Sequence, residues 1–309
     1  MNLSTKAFMH PEDAAALEQL ESIPMFPEAV KIFLKVYNER LIHGISMAQK
    51  IRLGPKQLPK IYQHLPPICE TLGIDEPEFY LEMDPAPNAY TMGDTQCFVT
   101  ITSGLVEYLD EDELQAVLAH ECGHILFRHV LYHTMAMLLL QYGSAIFGAL
   151  EAVSTPIRLA LLYWYRRSEL SADRAAAVVL KSPTPMVETM IRLAGGPKSI
   201  TGSINLELYV QQAASYDKLL EDSWDKLLQN VAVMNSQHPF ASVRTREITR
   251  WCDSPEYPKV LQAIEQRKTA SVCRHCGSMV LAEWKFCRRC GRPNPSGEAT
   301  TQQEANSHE

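Results

Sequence analysis

The sequence predicts a mainly helical α+β fold with one small antiparallel sheet and a small cysteine-clamped module near its end. Apolar residues recur at three- and four-residue spacing through most of the chain. Two short runs rich in β-branched and aromatic residues interrupt that pattern, and four of the eight cysteines form two Cys-x-x-Cys pairs beyond residue 270. With 309 residues, 46% hydrophobic and 21% charged, the chain can bury a sizeable core, which excludes disorder and collagen-like repeats. A net charge of −7 is the wrong sign for a chain-wide phosphate-binding surface, so no nucleic-acid partner is expected.

Residues 1–13 contain no apolar run of the signal-peptide kind, so a cytoplasmic, reducing location is expected and cysteines read as thiols or metal ligands. From Pro11 to about Leu72 the pattern is helical, with Val30, Phe33, Leu34, Tyr37, Leu41 and Ile42 at helical intervals, and it carries no recognisable chemistry. Phe79 to Met83 and Gln96 to Thr102, the latter after a Gly93-Asp94 turn, supply the strands. Asp110 and Glu113 form a capping-box pattern that starts a long helix carrying residues 120–124. Thr155 and Pro156 read as the cap and first residue of another helix, which carries Glu169 and Asp173 and ends before Ser182 and Pro183.

His120, Glu121, Cys122, Gly123 and His124 spell HExxH. On a helix, residues four apart share a face, so both imidazoles can reach one metal. Glu121, about 100° round the axis, can touch a metal-bound water without being a ligand. A catalytic zinc needs a third protein ligand and an open corner. The pattern HExxHxxGxxH is excluded, because Phe127 and Val130 occupy the places of its glycine and histidine. The gluzincin pattern, a glutamate from a second helix within ExxxD, is matched by Glu169 and Asp173. Glu169 becomes the third ligand, and Asp173, one turn on, can orient a ligand histidine through its free ring N–H. His129 and His133 read as structural residues off the ligand face, and Cys122 as core.

Asn88-Ala89-Tyr90, Thr102-Ser103-Gly104-Leu105, Glu113-Leu114, the HExxH, Ser168-Glu169, Ala172 and Asp173 follow one another in an order that resembles the zinc metallopeptidase family of the HtpX heat-shock protease and the CAAX prenyl proteases. His238, Pro239 and Arg244 resemble its HPxxxxR segment, so the likeness covers roughly residues 65–250. The resemblance implies a gluzincin domain in which Asn88 and its strand form the edge along which an extended peptide lies. It also implies a His238 near the metal, as an oxyanion donor or resting-state block.

Thr134 to Leu150 contains no charged residue or histidine, and apolar character returns at Leu159 to Tyr165. This length sits at the bottom of the range of about 17–25 residues that spans a bilayer. A helical hairpin buried on the catalytic domain is expected, with a membrane contact through residues 134–165 left open. Near the end, Cys273 and Cys276, then Cys287 and Cys290, form two CxxCG knuckles that together make a minimal zinc ribbon of four thiolates. So small a module folds on its metal.

The expected organisation is an N-terminal helical extension over 1–66, a metallopeptidase domain over 67–255, a linker helix and ribbon over 256–292, and a disordered tail over 293–309. Two zinc ions are expected, one catalytic and one structural. The expected function is zinc-dependent endopeptidase action on a protein or peptide substrate, with Glu121 activating the zinc-bound water. Rival readings are a silent scaffold of the same fold and a membrane-embedded prenyl-protein processing peptidase. The ribbon's partner is unknown.

Overall fold

In the computed structural model, residues 8–147, 151–219, 240–268, 270–272, 275, 279–281, 286 and 290–293 are described. The chain divides into a compact unit of residues 8–254 and a second unit from residue 255 onward.

The larger unit begins with α1 (Pro11–Glu21), α2 (Phe26–Val36) and α3 (Glu39–Gln49). Proline falls in the first turn of α1 and α2, where its missing N–H costs no helical bond. Strand β1 (Ile51–Arg52), α4 (Pro59–Tyr62) and α5 (Leu65–Leu72) follow, then β2 (Glu78–Glu82), β3 (Ala89–Met92) and β4 (Phe98–Thr102). The sheet runs in the order β1-β2-β4-β3. It is mixed, which corrects the antiparallel expectation: β4 pairs antiparallel with β3 and parallel with β2, and β1 pairs antiparallel with β2. Strand alternation records which face is buried, not which neighbour a strand takes. Here β4, buried at every residue, is drawn to the centre, and the β3–β4 hairpin folds back to place it beside β2. The hairpin turn needs Gly93, whose φ of 128° suits glycine and where a Cβ would lie 2.1 Å from the Gln96 carbonyl oxygen. Among the described residues β3 pairs only with β4, so it forms one edge of the sheet, against the HExxH helix.

Helices α6 (Ser103–Tyr108), α7 (Glu111–Leu126), α8 (Val130–Phe147), α9 (Glu151–Leu180), α10 (Thr184–Gly195), α11 (Lys198–Thr201), α12 (Leu206–Leu219) and α13 (Ala241–Cys252) complete the unit. The capping box at Asp110 and Glu113 starts α7 as expected. The buried Glu113 carboxylate also pairs with Arg192 of α10. Helix α9 begins at Glu151 rather than at Pro156, which lies inside it. Near a helix start a proline sacrifices at most one intrahelical bond, so the Thr-Pro pair does not mark the boundary.

Apolar residues of α8 (Met135, Ala136) and α9 (Ile157, Leu161, Leu162, Trp164, Tyr165) pack against Ala16 and Leu20 of α1 and Phe26, Ala29 and Phe33 of α2. The N-terminal helices thus cover part of the hairpin formed by α8 and α9. Among the described residues no helix is long and apolar enough to cross a membrane.

Helices α7 and α9 approach closely because Gly123 faces Ala172 and Ala175, all buried. A Cβ on Gly123 would lie 2.8 Å from the Ala175 Cβ and 3.1 Å from the Ala172 Cα. Gly123→Val is therefore expected to cost about 3 kcal/mol, the upper end of overpacking. Urea unfolding should show that loss, together with fewer metal ions retained per chain.

In the second unit, α14 (Glu256–Lys268) is followed by β5 (Ala270–Val272) and β6 (Met279–Leu281), an antiparallel pair. A further bridge joins Phe286 to Pro293. In sequence the first cysteine pair falls between β5 and β6 and the second between the bridged residues. Cys273, Cys276 and Cys287 lie outside the described residues, and Cys290 is exposed.

Candidate metal centre

Helical geometry places His120 and His124 on one face of α7, and both are buried. Helix α9, held close by Gly123, brings Glu169 and Asp173 up to them, also buried. The two Nε2 atoms lie 3.2 Å apart. Glu169 Oε2 is 3.4 Å from His120 Nε2, and Oε1 is 3.4 Å from His124 Nε2. Each Nδ1 is engaged elsewhere, His120 with Asp173 Oδ1 at 3.0 Å and His124 with His129 Nδ1 at 3.1 Å. The Nε2 lone pairs are therefore the ones turned toward the carboxylate.

These distances fit a cation. Zinc bonds of about 2.0–2.1 Å in a tetrahedron set ligand-to-ligand edges of about 3.3–3.4 Å, close to the spacing of these three groups. Two imidazoles and one carboxylate leave the fourth corner for solvent, as in catalytic sites. His124, His129 and His133 also lie within ligand reach of one another. There, however, His129 Nε2 faces Asp13 at 3.1 Å and His133 Nε2 meets the Ser168 hydroxyl at 2.6 Å.

Arg244, on α13 and buried, completes the charge balance. Its Nε and Nη2 donate to Asp173 at 2.8 and 2.6 Å, and Nη1 lies 3.0 Å from Glu169 Oε2. Burial raises the Asp173 carboxyl, but Arg244 outweighs it and holds the group below the ordinary carboxylate range. At His120, burial disfavours the imidazolium, yet Glu169 and then Asp173 prevail and carry its pKa up to about 9. His124 goes the other way, since burial dominates.

Glu121 is buried, and its Oε2 accepts from the Thr91 hydroxyl at 2.7 Å. Its Oε1 has no hydrogen-bond partner among the described residues. Thr91 comes from β3, so the sheet edge that flanks the site also orients the glutamate. A cleft of about 340 Å³ opens over His120 and Glu121, walled by Asn88 and Ala89 on one side and by Leu105, Val117, Met186 and Met190 among its apolar residues.

Of the residues singled out in the sequence, His120, Glu121, His124, Glu169 and Asp173 come together, with Asn88 on the cleft wall. Asn88 extends the β3–β4 pairing, its N–H donating to Thr102 Oγ1 at 2.9 Å. His238 lies outside the described residues. Arg244 entered the sequence reading only as part of a motif, and Thr91 not at all. The fixed interval from His238-Pro239 to Arg244 is a signal for the former; a threonine alternating on a strand is none for the latter. His129 and His133 do not continue along α7. Arg128 at φ 61° reverses the chain, and both rings return beside His124, their centroids 5.4 and 4.3 Å from its own.

Residues 55–252 match the peptidase family M48. The chain belongs to that family. Residues 272–294 match a zinc-ribbon domain. The chain is 32% identical over 272 residues to the plastoglobule-localized metallopeptidase 48, chloroplastic, of Arabidopsis thaliana, covering 87% of this chain and 78% of the plant protein. It is 31% identical over 165 residues to a protease HtpX homolog of Tropheryma whipplei (strain TW08/27), covering 51% of this chain and 53% of that protein. To the HtpX homolog of Pelotomaculum thermopropionicum it is 26% identical over 170 residues, 53% of this chain and 57% of the relative. The chain thus spans only about half the length of these HtpX relatives. Membership in M48 makes it a metallopeptidase, residues 272–294 add a zinc ribbon, and both modules imply zinc.

Proposed function

We propose that the chain is a zinc-dependent endopeptidase that cleaves extended segments of unfolded protein in the cytoplasm, in the manner of protein quality control. The observation that carries this reading is the Glu121 carboxylate. One oxygen is held by Thr91, the other has no hydrogen-bond partner among the described residues, and Glu121 lines the cleft together with His120, one of three groups spaced for a tetrahedral cation.

His120, His124 and Glu169 would hold the zinc, which when bound would supply Lewis acidity toward the scissile carbonyl and toward a water. Glu121 Oε1 would take a proton from the attacking water and pass it to the leaving amine. Asp173 and Arg244 keep the His120 ring and the Glu169 carboxylate in place. An extended substrate lies along the outer edge of β3, where main-chain bonds accept varied sequences, with Asn88 at the end of that edge. The apolar wall of Leu105, Val117, Met186 and Met190 favours a bulky aliphatic or aromatic side chain beside the cleaved bond.

A second zinc is held by Cys273, Cys276, Cys287 and Cys290. The resemblance to the HtpX heat-shock protease supports unfolded protein as substrate.

Treating the full chain with a strong zinc chelator is expected to abolish cleavage of a reduced, unfolded protein, and added zinc to restore it. Metal analysis should find about two zinc ions per chain. A zinc-replete protein that cleaves no unfolded substrate would overturn the reading.

A further inference from the structure

Helix α1 lies outside the stretch that matches the family, yet it carries a charged residue into the centre of the molecule. Asp13 stands at helical spacing with Ala16 and Leu20, on the face that is otherwise apolar, and is fully buried. A buried carboxylate requires partners. Asp13 Oδ1 accepts from Trp164 Nε1 at 3.0 Å, and Oδ2 from the Ser171 hydroxyl at 2.5 Å. The third neighbour is His129, whose Nε2 lies 3.1 Å from Oδ2. His129 Nδ1 in turn meets His124 Nδ1 at 3.1 Å.

The proton positions along this chain are dictated from its ends. A His124 that offers Nε2 to a metal carries its proton on Nδ1 and must donate it. His129 Nδ1 is then the acceptor, so the His129 proton sits on Nε2, the atom facing Asp13. An ionised carboxylate can only accept, and at 3.1 Å, an ion-pair distance without hydrogen-bond alignment, it favours that arrangement through its charge. Burial raises the Asp13 carboxyl, but His129, Ser171 and Trp164 outweigh it and hold the group below the ordinary value.

We propose that Asp13 is a positioning residue for the metal centre: through His129 it sets the tautomer and ring orientation of His124, so that the N-terminal helix is part of the metal-binding machinery. This parallels Asp173 acting on His120, but the path takes two steps and starts on a different element. Outer partners of metal-bound histidines are typically worth about 10–100-fold in affinity. The inference rests on the metal reading above, and its test is read as metal affinity rather than turnover.

The experiment uses the full chain, with zinc affinity measured by chelator competition. Cobalt substitution adds the visible d–d bands of the histidine-carboxylate site, distinct from the sulfur charge-transfer bands of the ribbon. Asp13→Asn is expected to weaken zinc at this site by about 10-fold or more and to shift the d–d bands. His10→Ala serves as control. It removes the side chain that caps α1 and faces Glu247, so the melting temperature should fall while zinc affinity stays within about twofold.

His129→Asn keeps an acceptor for His124 but cannot reach Asp13, and is expected to weaken zinc to a similar degree. In that background Asp13→Asn should add nothing, because two residues acting through one path are not additive. If Asp13→Asn does not fold, the affinity of His129→Asn alone decides. Wild-type zinc affinity in either single variant, or an undiminished Asp13 effect without His129, would overturn the proposal. A wild-type chain that binds no cation at these histidines would instead sink the metal reading itself.

Discussion

Glu121→Gln is expected to lower hydrolysis of an unfolded protein substrate by about 10²–10⁴-fold, the range typical of a lost general base, while zinc content stays at the wild-type level. The amide is the same shape, so it can keep the Thr91 bond through its oxygen. What it loses is the ability to take up a proton at the second position. Because Glu121 lies round the helix from His120 and His124, the metal ligands are untouched. Turnover and zinc stoichiometry measured on the same preparation separate two readings. Activity that survives would remove Glu121 from the chemistry, and absence of activity in both forms would favour a scaffold of the peptidase fold.

The second large effect is expected at Arg244. Without its guanidinium, Glu169 and Asp173 stand as two buried carboxylates that have lost their cationic partner and keep the imidazoles of His120 and His124 beside them. Arg244→Met keeps much of the packing volume and removes the charge, and should destabilise the metal-free protein by about 3–5 kcal/mol, as when one partner of a buried pair is deleted. Arg244→Lys should recover only part of this, since one ammonium cannot reproduce the two-pronged contact with Asp173.

The pH dependence has a definite sign. Asp173 is depressed in the folded state, so its contribution is present above its ordinary value of 3.8 and is lost as the pH falls below it. Arg244→Met removes that contribution, and its stability should fall less steeply over the same acid range. Urea unfolding of the metal-free forms at several pH values tests both statements. Unchanged stability in Arg244→Met would mean that the carboxylates need no counter-charge.

Much of the centre is legible in the sequence because its chemistry is short-range along helices. HExxH needs only the helical repeat to bring two imidazoles together, and ExxxD needs only the same repeat to set Glu169 one turn from Asp173. The capping box at Asp110 marks where the helix starts. Thr91, Arg244 and Asp13 are different in kind. Each acts on the site from another element, and of the three only Arg244 is announced along the chain, by its interval from His238-Pro239. Asp13 leaves the faintest trace, an acidic residue on an apolar face, which reads equally well as a solvated helix start.

The sequence by itself determined the residue types, the helices that carry them and the family, since these depend on local spacing and motif order. Only the tertiary structure decided the parallel pairing of β2 with β4, the reversal at Arg128 that returns His129 to His124, and the closeness of α7 and α9 across Gly123. Those depend on which buried surfaces meet once the chain has closed on itself. Hydrophobic burial is non-directional, so the same apolar pattern is compatible with many partners until packing selects one.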